Sequence, residues 1–170
     1  MRFATRPEEA YRLSKKVMEE MGHAYYVWSL MADLGVDVNA RLTELVTHPD
    51  DPDPKKVKVI NGFRKENWST WFDDWYDVGL FSTVVTPAAV AFLGQYRECS
   101  YLPWARVNVR IHKEEHGHLA FGVWATKRNI EFDGEKAREI IQSRVPKFMR
   151  IGLGFYGRPS QGGSKSEMFD

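Results

Sequence analysis

A chain of 170 residues is long enough to bury a core without disulfides or a structural metal, and reads as one domain. Its formal net charge of +1 argues against a nucleic-acid stripe or a polybasic membrane patch. The lone Cys99 excludes an internal disulfide and MRFATRPEEA lacks a signal peptide's apolar run, so a cytoplasmic location is expected.

The first segment, TRPEEAYRLSKKVMEEMGHAYYVWSLMADLG, carries helix punctuation. Thr5 is expected to cap it, Pro7 to sit in the first turn and Glu8 to complete a Thr-x-x-Glu capping box. Tyr11, Leu13, Val17, Met21, Ala24, Trp28 and Met31 recur at helical spacing, and Gly35 ends the run. A shorter helix follows Asp37 over 39–46. THPDDPDPKK must be an exposed loop, and VKVINGF is irregular or briefly extended.

From Trp68 to Tyr96 the pattern is helical again, with Trp71, Trp75, Val78, Leu80 and Phe81 forming an apolar stripe. Pro87 predicts either a kink or a fresh start capped by Thr86. The run VGLFSTVVTPAAVAFLG is interrupted by Ser82, Thr83, Thr86 and Pro87, and reads as a buried helix rather than a membrane span. SYLPWARVNVRIHKEEHGHLAFGVWATKRN predicts a long helix with Pro103 in its first turn. A last helix opens at Asp133 and is bent or ended near Pro146. The expected fold class is all-α: a helical bundle over 1–152, with a mobile tail over 153–170.

The pattern Glu-Glu-x-Gly-His occurs twice, as EEMGH at 19–23 and EEHGH at 114–118. Each copy contains Glu-x-x-His: Glu20 with His23, and Glu115 with His118. Residues three apart share a helix face, so a carboxylate and an imidazole can reach one point. Two such helices packed together offer the ligand set of a carboxylate-bridged dinuclear iron or manganese centre, if the groups converge inward. Without thiolates, a structural zinc site is disfavoured. Composition alone yields about 0.4 Glu-x-x-His pairs by chance, so one copy would mean little; the competing reading is surface charge or structural hydrogen bonding. Glycine before each histidine costs roughly 1 kcal/mol against alanine, which predicts close backbone approach there. His112 is a weaker candidate for a supporting hydrogen bond, His116 points away from Glu115, and His48 lies in the loop. No coenzyme A site is visible, since Lys and Arg are scattered along the chain.

KKVMEEMGHAYYVWSLMADLGVD and CSYLPWARVNVRIHKEEHGHLAFG resemble the two ligand-bearing helices of the PaaA/PaaC family of ferritin-like proteins, to which the phenylacetyl-CoA epoxidase catalytic subunit belongs. WYDVGLF and FYGRPSQGGSKS also look related. The resemblance implies Glu20, His23, Glu115 and His118 as iron ligands, with Glu20 and Glu115 bridging or chelating. It also implies an aromatic acyl-CoA substrate, dioxygen, a separate reductase, and a homo-oligomer or a hetero-oligomer with a related helical subunit. Neither nucleic acid nor membrane is an expected partner. Two departures stand out: the family's first ligand helix would precede this chain, and Thr86 occupies the place of a further carboxylate. Asp77, nine residues earlier, is half a turn out of phase on a straight helix. The chain also stops before the family's C-terminal region. The expected function is therefore an oxygenase component with a partly depleted di-iron or single-iron site. The alternatives are a non-catalytic structural subunit of the family and a metal-storage bundle.

Overall fold

The computed structural model describes residues 3–47 and 72–154. The protein is all-α, with no strand among the described residues. It divides into two compact units: Met1–Glu19 with Asp74–Asp170, and Glu20–Asp73. Helix α1 (Pro7–Asp33) contributes to both.

The start of α1 corrects the expected cap by one residue. Glu9, not Glu8, turns back. Its Oε2 accepts from the Arg6 and Thr5 backbone N–H groups, each at 3.1 Å, and its Oε1 accepts from the Arg6 guanidinium at 2.7 Å. Arg6 is thus the capping position and Glu9 the third helical residue, the reciprocal half of a capping box. Glu8 instead accepts from Arg12 at 3.1 Å.

In the second unit, Gly35 (φ +84°) closes α1 as the sequence predicts. Val36 N–H donates to the Met31 carbonyl at 3.0 Å, and Gly35 N–H to that of Ala32 at 2.9 Å. These are the two bonds of a Schellman ending, which needs a residue tolerant of positive φ. Helix α2 (Val38–Thr47) follows, with Asp37 accepting from the Ala40 N–H at 2.9 Å. The expected loop at THPDDPDPKK and the VKVINGF stretch lie almost wholly outside the described residues.

The first unit resumes at α3 (Trp75–Leu80). Asp74 accepts from the Tyr76 and Asp77 N–H groups and starts this helix; residues 72–74 are not helical, and the start expected at Trp68 lies outside the described residues. A π-turn at Phe81–Val85 leads into α4 (Thr86–Gln95). A helical segment therefore starts afresh at Thr86, one of the two outcomes expected at Pro87, but through a widened turn rather than a threonine cap. Proline has no N–H to return to the preceding turn, and its ring crowds that turn's carbonyl. Widening the turn relieves both, and the Thr86 N–H reaches the Phe81 carbonyl five residues back. Thr86 makes no side-chain cap.

A 3₁₀ turn (Tyr96–Glu98) precedes the helical run Leu102–Gly154, divided at Gly134 (φ +57°) into α5 (102–133) and α6 (135–154). Pro146 does not end α6. Ile141, Val145 and Ile151 pack around a core of Leu80, Val85 and Phe148, and that burial holds the helix despite the missing donor. A second core joins Trp75, Phe121 and Ala125, with the Trp75 and Phe121 rings edge-on at 6.1 Å. Tyr76 donates to Asp133 just before the Gly134 bend, and burial followed by that acceptor pushes its phenol up to about 12.

Trp75–Glu98 is long and apolar enough to cross a membrane by length and composition. In the fold it buries Asp77, Ser82 and Thr86 beside its apolar residues. Gly122 explains how closely α5 meets the π-turn. A methyl group there would strike the Ser82 carbonyl carbon and come within 2.5 Å of the Thr83 nitrogen. Gly122→Ala is therefore expected to cost about 2–3 kcal/mol, since backbone rather than a flexible side chain must move. A clear fall in melting temperature by circular dichroism would register it; an unchanged value would mean the π-turn shifts freely.

Candidate functional site

Helix periodicity brings each repeated motif into the same local arrangement. In the second unit, His23 Nδ1 lies 3.6 Å from Glu20 Oε2. In the first, His118 Nδ1 lies 3.4 Å from Glu115 Oε2. His23, Glu115 and His118 are buried, whereas Glu20 keeps about half of its side chain in solvent. A first-row metal sits about 2.0–2.2 Å from nitrogen and oxygen donors, so two of its ligands stand roughly 3.0–3.5 Å apart. Both pairs are close to that spacing. The donor set also suits iron or manganese: imidazole and carboxylate with no thiolate. Each pair thus has a spacing at which both donors could share a metal ion.

Glu114 accepts from Arg110 at 2.9 Å. Glu19 reaches across from α1 to α5, where its Oε2 lies 3.1 Å from His118 Nε2. The sequence reading overlooked Glu19, although one residue's displacement from Glu20 turns it about 100° around the helix toward a different neighbour. His112 packs edge-on against His116, ring centroids 4.8 Å apart. The expected close backbone approach at Gly22 and Gly117 is not found: a methyl group at either would meet nothing within 4 Å.

Gly117 instead borders a cleft of about 860 Å³ in the first unit, between α1 and α5. Where a side chain would project, its absence leaves room. Glu19, His118 and Phe121 also line the cleft, together with the cations Arg12, Lys15, Lys16, Arg110 and Lys113. Several of these are held in place: Lys15 lies 3.7 Å from Glu19, and Lys16 donates to the buried Ser82 at 2.9 Å. Charges scattered along the sequence thus gather in space. A signal was present, because basic residues precede each motif by about one turn, Lys15 and Lys16 before Glu19 and Glu20, Arg110 before Glu114.

Asp77 and Thr86, the two residues weighed in the sequence for a further carboxylate position, are both buried. Asp77 is fully buried and accepts from Arg144 at 3.0 Å, with Lys147 at 3.7 Å. The Asp74 hydrogen bond and then the Asp77 one raise the Arg144 pKa, against the opposing effect of burial. Thr86 is buried within the core-facing side of α4.

Residues 7–165 match the family described as phenylacetic acid catabolic protein. The chain is 26% identical over 148 residues to a component of the 1,2-phenylacetyl-CoA epoxidase of Escherichia coli (strain K12). That alignment covers 85% of this chain but 43% of the relative, so the chain spans less than half of that protein's length. No solved structure matches. Taken over nearly its whole length, the chain belongs to the phenylacetic acid catabolic protein family.

Proposed function

We propose that the protein is an oxygenase component of the phenylacetyl-CoA epoxidase type, acting on an aromatic acyl-CoA thioester. Glu115 with His118, and Glu20 with His23, are the iron ligands in this reading. The observation that carries this reading is the repeated Nδ1-to-carboxylate spacing of 3.4 and 3.6 Å in the two motif copies. Helix α1 is unbroken through Glu19, Glu20 and His23, so these three groups follow one another within about one turn. Bound iron supplies activation of dioxygen for insertion of one oxygen atom into the aromatic ring.

The chain's own residues supply binding and orientation. Arg12, Lys15, Lys16, Arg110 and Lys113 offer positive charge to the phosphates of the coenzyme. Phe121 and the gap at Gly117 give the cleft an apolar, accessible wall beside His118. Exposed Tyr11, Val17 and Met18 on α1 support association with a second helical subunit, and a reductase would deliver electrons. A cytoplasmic location accords with this chemistry.

A second reading, a structural subunit without turnover, is favoured by Thr86 in place of a carboxylate and by Asp77's commitment to Arg144. Metal analysis separates the two. Protein produced with iron supplementation is expected to hold about two irons per chain. It should also consume dioxygen with phenylacetyl-CoA and a reductase. Protein that binds no metal, and whose thermal stability is unmoved by Fe(II), would overturn the oxygenase reading.

A further inference from the structure

We infer that Glu19 is a positioning residue that holds the His118 ring with its proton on Nε2, leaving Nδ1 as the metal-facing atom. The inference rests on the proposed metal centre and concerns how one half of it is prepared.

The chemistry of the contact sets its direction. The ring has a carboxylate on each side, and the contact on the Nε2 side is the shorter one, 3.1 Å to Glu19 Oε2 against 3.4 Å from Nδ1 to Glu115 Oε2, which favours Nε2–H as the donor to Glu19. A neutral imidazole carries one N–H. With that proton on Nε2, the lone pair belongs to Nδ1, which lies 3.4 Å from Glu115 Oε2. Histidine ligands generally donate their second ring N–H to a carboxylate or carbonyl, which fixes tautomer and ring plane. Burial strengthens the effect here, because the His118 side chain is only 2% exposed and water cannot easily replace Glu19 as acceptor. Glu19 is itself held: Lys15 Nζ stands 3.7 Å from its other oxygen, and its side chain is 22% exposed on the cleft wall.

Glu114, at the same place in the second copy, accepts from Arg110 on its own helix.

The test compares wild type, Glu19→Gln, Glu19→Ala and Glu115→Ala in the intact chain. Two readouts are used: the His118 tautomer in metal-free protein, by long-range ¹H–¹⁵N correlation, and Co(II) affinity by titration. Wild type is expected to show the Nε2–H form. Glu19→Gln, whose amide oxygen still accepts, should largely keep it, and Glu19→Ala should populate the Nδ1–H form. Cobalt affinity should fall about 10–100-fold in Glu19→Ala and less in Glu19→Gln, with unchanged helix content. An Nδ1–H ring in wild type, or the same tautomer in Glu19→Ala, would overturn the inference. So would a loss in Glu19→Gln as complete as in Glu115→Ala, since that would make Glu19 a ligand. If wild type binds no cobalt, the metal-centre reading fails, while the metal-free tautomer still decides what Glu19 does.

Discussion

Replacing Asp77 with alanine is expected to destabilise the fold by about 3 kcal/mol while leaving metal binding intact. Asp77 is fully buried at the start of α3, and two cations of α6 converge on it: Arg144 at 3.0 Å and Lys147 at 3.7 Å. Arg144 also bonds Asp74 at 2.7 Å, the residue that caps α3. Removing the carboxylate leaves two like charges facing the space it filled, with Asp74 still bonded to Arg144. The penalty belongs at the lower end of the range for broken buried pairs, because Arg144 and Lys147 retain 27% and 33% side-chain exposure and can turn toward water. Urea denaturation followed by tryptophan fluorescence would measure it, with Trp75 two residues from Asp77 in the chain. A loss below about 1 kcal/mol would mean that solvent already screens the charges. Loss of metal along with stability would return Asp77 to the candidate ligands.

This network also shows where sequence reasoning reached its limit. Helix α1 was legible almost to the residue, because its signals are local: proline in the first turn, apolar residues at helical spacing, and a glycine able to take positive φ. The repeated Glu-x-x-His pairs were legible for the same reason, since three-residue spacing fixes which groups share a face. Phase arguments failed where the helix was not α. Asp77 and Thr86 would be half a turn apart on a straight helix, but the π-turn at Phe81–Val85 breaks that register and both are buried. What commits Asp77 elsewhere is its pairing with Arg144, sixty-seven residues away. Such a contact has no trace in local pattern.

The same distinction explains the other differences. Glu9 displaced Glu8 because the cap begins at Arg6, one residue after the threonine that signals it. Pro146 failed to end α6 because the neighbouring Val145 and Phe148 are packed against the α3 and π-turn core. Glu19 was hidden behind its neighbour Glu20, and its partner His118 lies ninety-nine positions on. The basic cleft was overlooked because its residues come from two distant helices. Tertiary contact, not local propensity, decided each case.

Glu115→Ala is expected to reduce metal content to background while sparing helix content. The side chain is buried, and its Oε2 is the carboxylate oxygen 3.4 Å from His118 Nδ1. Truncation removes one donor of a chelating pair and leaves the other on a helix that no longer offers a second contact three residues away. Loss of a supporting hydrogen bond lowers metal affinity by about 10–100-fold, and loss of a direct ligand should exceed that. The fold should tolerate the change, because Ile111 and Phe121 anchor α5 on the same buried side and alanine favours the helix. Replacing a buried carboxylate with a methyl group also removes a desolvation cost, so stability without metal should be equal or greater. Metal analysis and Co(II) titration, run beside circular dichroism, give the result. If Glu115→Ala keeps its metal, the duplicated motif is structural, and the paired imidazole and carboxylate groups serve only to join helices.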